Sequence, residues 1–164
     1  MNFVLVHRGV RIRDINDPPH IKRNVERRRD TKYMKYFEPL PPEVEKVATA
    51  TVDAAYKIHR ALGPGLIESV YERCLAHELR KRNFAVRSQL DLPVHYDDIV
   101  IDSGLRPDLL IADVLVVEVK AVEQMHPVYQ AQLMTYLKLM KKRLGLLINF
   151  NVPVITKGIK RIIL

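Results

Sequence analysis

From Pro42 onward the apolar residues recur with a helical period. Val44, Val47, Ala48, Thr51, Val52, Ala55, Ile58 and Leu62 follow one another mostly at three- and four-residue steps, which predicts an amphipathic helix. Gly63-Pro64-Gly65 ends it. A second apolar stripe, Val70, Tyr71, Cys74, Leu75 and Leu79, predicts a helix from about Ile67 to Arg82. The period then shortens to that of extended chain. Phe84–Leu90, Leu92–Tyr96 and Ile99–Asp102 read as strands separated by Asp91 and by the polar turn Asp97-Asp98. Pro107–Ile111 and Leu115–Ala121 flank a tight connection at Ala112-Asp113-Val114 and predict a hairpin. Pro127 suits the first turn of a third helix reaching about Lys142, and Leu144–Phe150 and Ile159–Leu164 read as closing strands. Helices, a run of strands, a helix and further strands predict an α/β (α+β) domain, with one mixed sheet and helices packed against it. No internal repeat is present.

Residues 1–42 lack such a pattern. They hold five of the ten prolines and the run Arg27-Arg28-Arg29, and they carry ten Lys/Arg against five Asp/Glu. The remaining 122 residues carry 17 against 14, so the net charge of +8 divides into +5 and +3. The first segment therefore reads as a basic, Pro-rich, loosely ordered extension, either a solvated tail or an arm that grips nucleic acid. Met34 stands just before the periodic pattern and is an alternative start, in which case residues 1–33 would not belong to the natural protein. The domain proper is expected over 43–164.

Composition narrows the class. Of the 164 residues 48% are apolar, enough for a buried core, which excludes a wholly disordered chain. The single cysteine, Cys74, excludes an intramolecular disulfide framework and a Cys-rich zinc cluster, so a reducing cytoplasm is the expected compartment. Cys74 lies on an apolar stripe and reads as a small core residue. Apolar runs such as Val114–Val117 are too short to span a bilayer, and the start MNFVLVHRG does not read as a signal peptide. The positive balance favours an anionic partner, nucleic acid first.

Candidate chemistry concentrates in Arg106-Pro107-Asp108, nine residues, then Glu118-Val119-Lys120. Alternation in a strand puts Glu118 and Lys120 on one face and Val117, Val119 and Ala121 on the other. Asp108, on the partner strand, reaches the same point. An isolated Glu-x-Lys is usually the solvated face of an edge strand. Here the flanking Leu115-Val116-Val117 and Val119 mark a buried central strand, where charges need partners. Two carboxylates and an ammonium converging there suit a hard divalent cation beside a water and a phosphate. Glu68 and Tyr71 share a helix face; alone they read as a dipole-complementing Glu and a core Tyr. Gln132 and Tyr136 lie four apart on the third helix, where packing is the commoner role. His59 precedes the Gly-Pro-Gly turn and could contact phosphate or a metal-bound water, although a lone His more often caps or packs. The other histidines lack ligand spacing, and Gly63-Pro64-Gly65 lacks the Lys-Ser/Thr of a P-loop.

The stretch His59-Arg60-Ala61-Leu62-Gly63-Pro64-Gly65-Leu66-Ile67-Glu68-Ser69-Val70-Tyr71 resembles the signature of the GxxExxY proteins, assigned to the PD-(D/E)XK nuclease superfamily. The resemblance continues through Arg106-Pro107-Asp108, Val117–Glu123, the segment QLMTY and the ending LLINFNVP…GIKRIIL, and covers about residues 43–164 in order. It implies a restriction-endonuclease-like core, a mixed central sheet with a three-stranded meander flanked by helices. It also implies roles. Asp108 and Glu118 match the metal-binding carboxylates, Glu68 the helix glutamate that completes the metal shell, and the carbonyl of Val119 a further ligand. Lys120 matches the lysine that orients or activates the attacking water. Gln132 and Tyr136 resemble the QxxxY motif of the RecB-like branch, and with Tyr71 and His59 are expected to support the site and substrate.

The expectation is a Mg²⁺- or Mn²⁺-dependent nuclease, a phosphodiesterase acting on nucleic acid, DNA favoured over RNA. Many enzymes of that superfamily dimerise to cut two strands, so a homodimer is compatible with it. The alternatives are a non-catalytic nucleic-acid-binding module and an inactive subunit of a repair or defence complex.

Overall fold

The computed structural model describes residues 11–14 and 38–164. The first helix, α1 (Pro42–Leu62), begins with proline at its first position, carries Glu43 and Glu45 in its first turn and His59 and Arg60 in its last. Each of these complements the helix ends, where N–H groups and carbonyls lack intrahelical partners. Gly63 stops it at φ 68°, a backbone region that suits glycine, and donates its N–H to the His59 carbonyl at 2.8 Å. The buried stripe of α1 is rich in small residues (Ala48, Thr51, Ala54, Ala55), so the helix can lie close to its neighbours. α2 (Glu68–Lys81) packs beside it and buries Tyr71, Leu75, Ala76 and Leu79.

The main sheet has six strands. In chain order these are β1 (Arg11–Asp14), β2 (Val86–Ser88), β5 (Leu109–Ile111), β6 (Leu115–Lys120), β7 (Leu144–Asn149) and β8 (Ile159–Ile163). Their spatial order is β1-β8-β7-β6-β5-β2. β2, β5 and β6 form an antiparallel meander, and β6 and β7 are parallel, joined through α3 (Pro127–Leu139). The β5–β6 hairpin turns through Ala112 and Asp113, both at positive φ (49° and 58°), with the Val114 N–H on the Ile111 carbonyl at 3.0 Å. That mirror-image turn matches the twist of the strands.

The sheet is covered on both faces. Leu109, Ile111, Leu115, Val117 and Val119 face α1 and α2, whereas Leu110, Val116, Leu147 and Ile162 pack with Leu133, Tyr136 and Leu137 of α3. β6 and β7 are buried at all six positions each, which explains their near-continuous apolar runs. Charged residues at the end of β6 are therefore enclosed on both sides.

Three expectations need correction. The strands do not form one sheet: β3 (Leu92–Tyr96) and β4 (Ile99–Leu105) pair only with each other, as a hairpin inserted between β2 and β5. Gln89 turns the chain out of the meander with φ 51°, and an Arg106–Asp91 ion pair of 2.6 Å ties the hairpin's base. Tyr96, Ile99, Val100 and Ile101 at its far end are exposed, so their apolar character reflects strand pairing rather than a place in the core. The segment 1–42 is not without regular structure, because Arg11–Asp14 adds an antiparallel edge strand to β8 through backbone hydrogen bonds that its side chains do not advertise. The rest of that extension, to residue 37, lies outside the described residues, as do Met34 and the Arg27–Arg29 run. Finally, a short helix, α4 (Ile155–Gly158), stands where only a connection was expected.

Candidate active site

The end of β6 and the start of β5 bring three charged residues together. Register places Leu109 opposite Val117, so Asp108 lies opposite Glu118. Asp108 Oδ2 accepts the Val119 N–H at 2.8 Å, and the Asp108 N–H donates to Glu118 Oε1 at 3.3 Å. The strand ends thus lock both carboxylates through the backbone. Lys120 shares a face with Glu118, as alternation requires, and its Nζ donates to Glu118 Oε2 at 3.3 Å and to the Val119 carbonyl at 2.9 Å. Glu68, at the first position of α2, enters from another element and accepts from the same Nζ at 3.2 Å. Asp108 Oδ2 is 4.0 Å from that ammonium. These residues stand at the C-terminal end of the parallel pair β6–β7, where open α/β sheets leave a crevice for ligands.

Burial and repulsion set the protonation behaviour. Glu118 is 1% exposed; burial, reinforced by the Asp108 carboxylate, pushes its pKa up to about 7 despite the Lys120 ammonium. Burial also raises Asp108, against the Val119 N–H and Lys120. Burial alone would lower Lys120, but Glu118, Asp108 and Glu68 override it and hold the ammonium charged. Three carboxylates thus surround one ammonium, a negative excess at a largely enclosed point.

The remaining expected residues are placed differently from one another. Gln132 donates to the Tyr136 hydroxyl at 2.7 Å; Tyr136 is buried, and burial with the nearby Glu118 and Asp108 charges raises its pKa. That pair therefore backs the site from the α3 side. Tyr71 is turned into the core. It is fully buried, stacks on Phe150 at 4.4 Å and 7°, donates its hydroxyl to the Gly63 carbonyl at 2.6 Å and accepts the Leu66 N–H at 3.2 Å. Its support is indirect, through the loop that delivers Glu68. His59 holds another loop by donating Nε2–H to the Val152 carbonyl at 2.7 Å.

Sequence reasoning missed several neighbours. Gln89 donates to Asp108 Oδ1 at 3.3 Å and to Glu72 Oε2 at 2.9 Å. Tyr129 of α3 presents its ring 5.7 Å from Lys120 Nζ. Asn149, in register with Lys120, clamps the chain that leaves β6 through both the N–H and the carbonyl of Val122. The signal available for Glu72 was its four-residue offset from Glu68, which puts both on one helix face.

The donor set suits a hard divalent cation: Glu68, Asp108, Glu118 and the Val119 carbonyl all offer oxygen, and their negative excess is what a cation would offset. Among the described residues no three His, Cys, Asp or Glu side chains are grouped to hold a metal ion as they lie. In this arrangement the Lys120 ammonium is hydrogen-bonded to Glu68 and Glu118. Among the described residues no helix is long and apolar enough to cross a membrane.

A family model described as the PD-(D/E)XK nuclease superfamily matches residues 45–162. No curated protein and no solved structure matches the chain.

Proposed function

Because the chain belongs to the PD-(D/E)XK nuclease superfamily, we propose that it hydrolyses nucleic-acid phosphodiester bonds with the residues gathered at the end of β6. Within the superfamily the reading places it among the GxxExxY proteins, with features of the RecB-like branch, DNA as the favoured substrate and 43–164 as the catalytic unit. The observation that carries this is the convergence of Glu68, Asp108 and Glu118 on Lys120 from three separate elements. Such a cluster is a costly way to stabilise a core, since each buried charge must be desolvated.

Glu68, Asp108, Glu118 and the Val119 carbonyl would hold Mg²⁺ or Mn²⁺, which supplies polarisation of the phosphate and a lowered pKa for a water molecule. The chain's own groups do the rest. Lys120 would orient the attacking water and offset charge developing on the phosphoryl oxygens. Val119 N–H and Gln89 fix Asp108, while Gln132 and Tyr136 close the site from α3.

Cleavage of single-stranded, duplex and branched DNA and RNA, with Mg²⁺ and Mn²⁺ and with chelator, tests the reading. Metal-dependent cleavage by the parent should vanish in Glu118→Gln and Lys120→Ala. Cleavage that survives both changes overturns the mechanism. A non-catalytic nucleic-acid-binding module is the second reading, favoured by the ammonium that already fills the convergence point. It predicts salt-sensitive binding that is indifferent to divalent metal.

A further inference from the structure

Gln89 sits between two carboxylates that the motif does not connect. Its backbone leaves β2 with φ 51°, a left-handed conformation that a residue with a side chain adopts at a cost. That twist has two consequences. The Gln89 N–H donates to the Asp108 carbonyl at 3.0 Å, so main chain holds main chain. The side chain, although exposed, turns back over the site and divides its amide hydrogens between Asp108 Oδ1 (3.3 Å) and Glu72 Oε2 (2.9 Å). Only the NH₂ end of the amide can face two carboxylates, which fixes the orientation of the group.

Asp108 consequently has both oxygens addressed, Oδ2 by the Val119 N–H and Oδ1 by Gln89. Glu72 lies one helical turn beyond Glu68 on α2, so the amide ties Asp108 on the sheet to the same helix that supplies Glu68. We propose that Gln89 is a positioning residue: with Glu72 as its anchor, it sets the orientation of Asp108 relative to Glu68 and thereby the affinity of the site for a divalent cation. The inference rests on the metal-dependent reading above. Groups that orient a ligating carboxylate commonly change metal affinity or activity by about 10- to 100-fold when removed.

Glycine separates positioning from folding here. Gln89→Gly removes the amide, keeps the N–H bond to Asp108 and suits the positive φ, so the thermal midpoint should equal or exceed that of the parent. Mn²⁺ affinity, measured by calorimetry with the metal alone, should nevertheless fall about tenfold or more. Glu72→Ala should weaken Mn²⁺ binding by a smaller factor in the parent and by almost none in the Gln89→Gly background, because it acts through the amide. Parent-like Mn²⁺ affinity in Gln89→Gly overturns the proposal and leaves the nuclease reading standing, as does a loss of affinity that only parallels a fall in midpoint. Absence of Mn²⁺ binding and of metal-dependent cleavage in the parent overturns both.

Discussion

Lys120 Nζ lies 3.3 Å from Glu118 Oε2, two residues back along a strand whose every position is buried. The ammonium also serves Glu68, and Asp108 lies at its margin. Removing one partner of a buried pair strands the other, at about 3–5 kcal/mol, unless the stranded group can neutralise itself. Glu118 can, because its pKa already stands at about 7. Lys120→Met, which keeps the unbranched apolar stem but lacks the ammonium, should therefore lose about 3 kcal/mol at pH 8 and less than about 1 kcal/mol at pH 5. Urea denaturation at the two pH values measures this; equal losses would mean that the carboxylates do not sense the ammonium.

The raised carboxylates give the metal-free protein a pH dependence of definite sign. Glu118 titrates at its ordinary 4.5 when unfolded and at about 7 when folded, so the native state binds more protons between those values. Its contribution is fully present below pH 4.5 and is lost as pH rises through 7, a swing on the order of 3 kcal/mol. Asp108 is shifted in the same direction. In chelator, the thermal midpoint of the parent should fall from pH 5 to pH 8 relative to Glu118→Gln, which lacks the titrating group. Mn²⁺ should recover the loss at pH 8, since a cation binds the deprotonated native state. A parent curve that runs parallel to that of Glu118→Gln would refute the assignment.

Tyr71 divides its work between ring and hydroxyl. The ring stacks on Phe150, while the hydroxyl bridges the Gly63 carbonyl and the Leu66 N–H on the loop before Glu68. Tyr71→Phe keeps the first and deletes the second, so it should cost about 1–2 kcal/mol of stability. Tyr71→Ala empties the core and should cost about 3–5 kcal/mol. The informative readout is cleavage rate under conditions where both are folded. Tyr71→Phe should slow it through a looser Glu68, and an unchanged rate would reduce the hydroxyl to a loop tie without effect on the site.

How far the sequence disclosed this architecture depends on where each residue's partner lies. Leu115–Ala121 could be read as a buried central strand because enclosure on both faces demands apolar residues at nearly every position, and that demand made Glu118 and Lys120 conspicuous; Leu144–Phe150 read only as a closing strand, although it is buried just as fully. Asp108 followed from hairpin register, and Glu68 from the resemblance. Gln89 and Asn149 could not be found in this way: each is an ordinary polar residue in sequence, and the partners that tie it to the site, Glu72 and Asp108 for Gln89 and Val122 for Asn149, lie 17 to 27 residues away, brought close only by the fold. The β3–β4 hairpin was legible as strands but not as a separate sheet, since alternation reports pairing and not which sheet is joined. Arg11–Asp14 was invisible because an edge strand held by backbone bonds asks little of its side chains.

Asn149 offers the last test, because it stabilises the site without touching the charges. It is buried in register with Lys120 on the neighbouring strand, with Oδ1 accepting the N–H groups of Val122 and Asn151 and Nδ2 donating to the Val122 carbonyl. The two bonds to Val122 hold the chain where it leaves β6, two residues after the lysine, and the third ties the turn that follows β7. Asn149→Ala leaves these backbone groups without their partners and should cost about 2 kcal/mol, with faster amide exchange at Val122. Asn149→Asp is nearly isosteric but replaces the donor with an acceptor facing the Val122 carbonyl, so it should cost more than the alanine change at pH 8 and less at pH 5, where the new carboxyl can take up a proton. Denaturation at both pH values decides the matter: an Asp variant as stable as the parent at pH 8 would show that the Nδ2 bond contributes nothing to holding this turn.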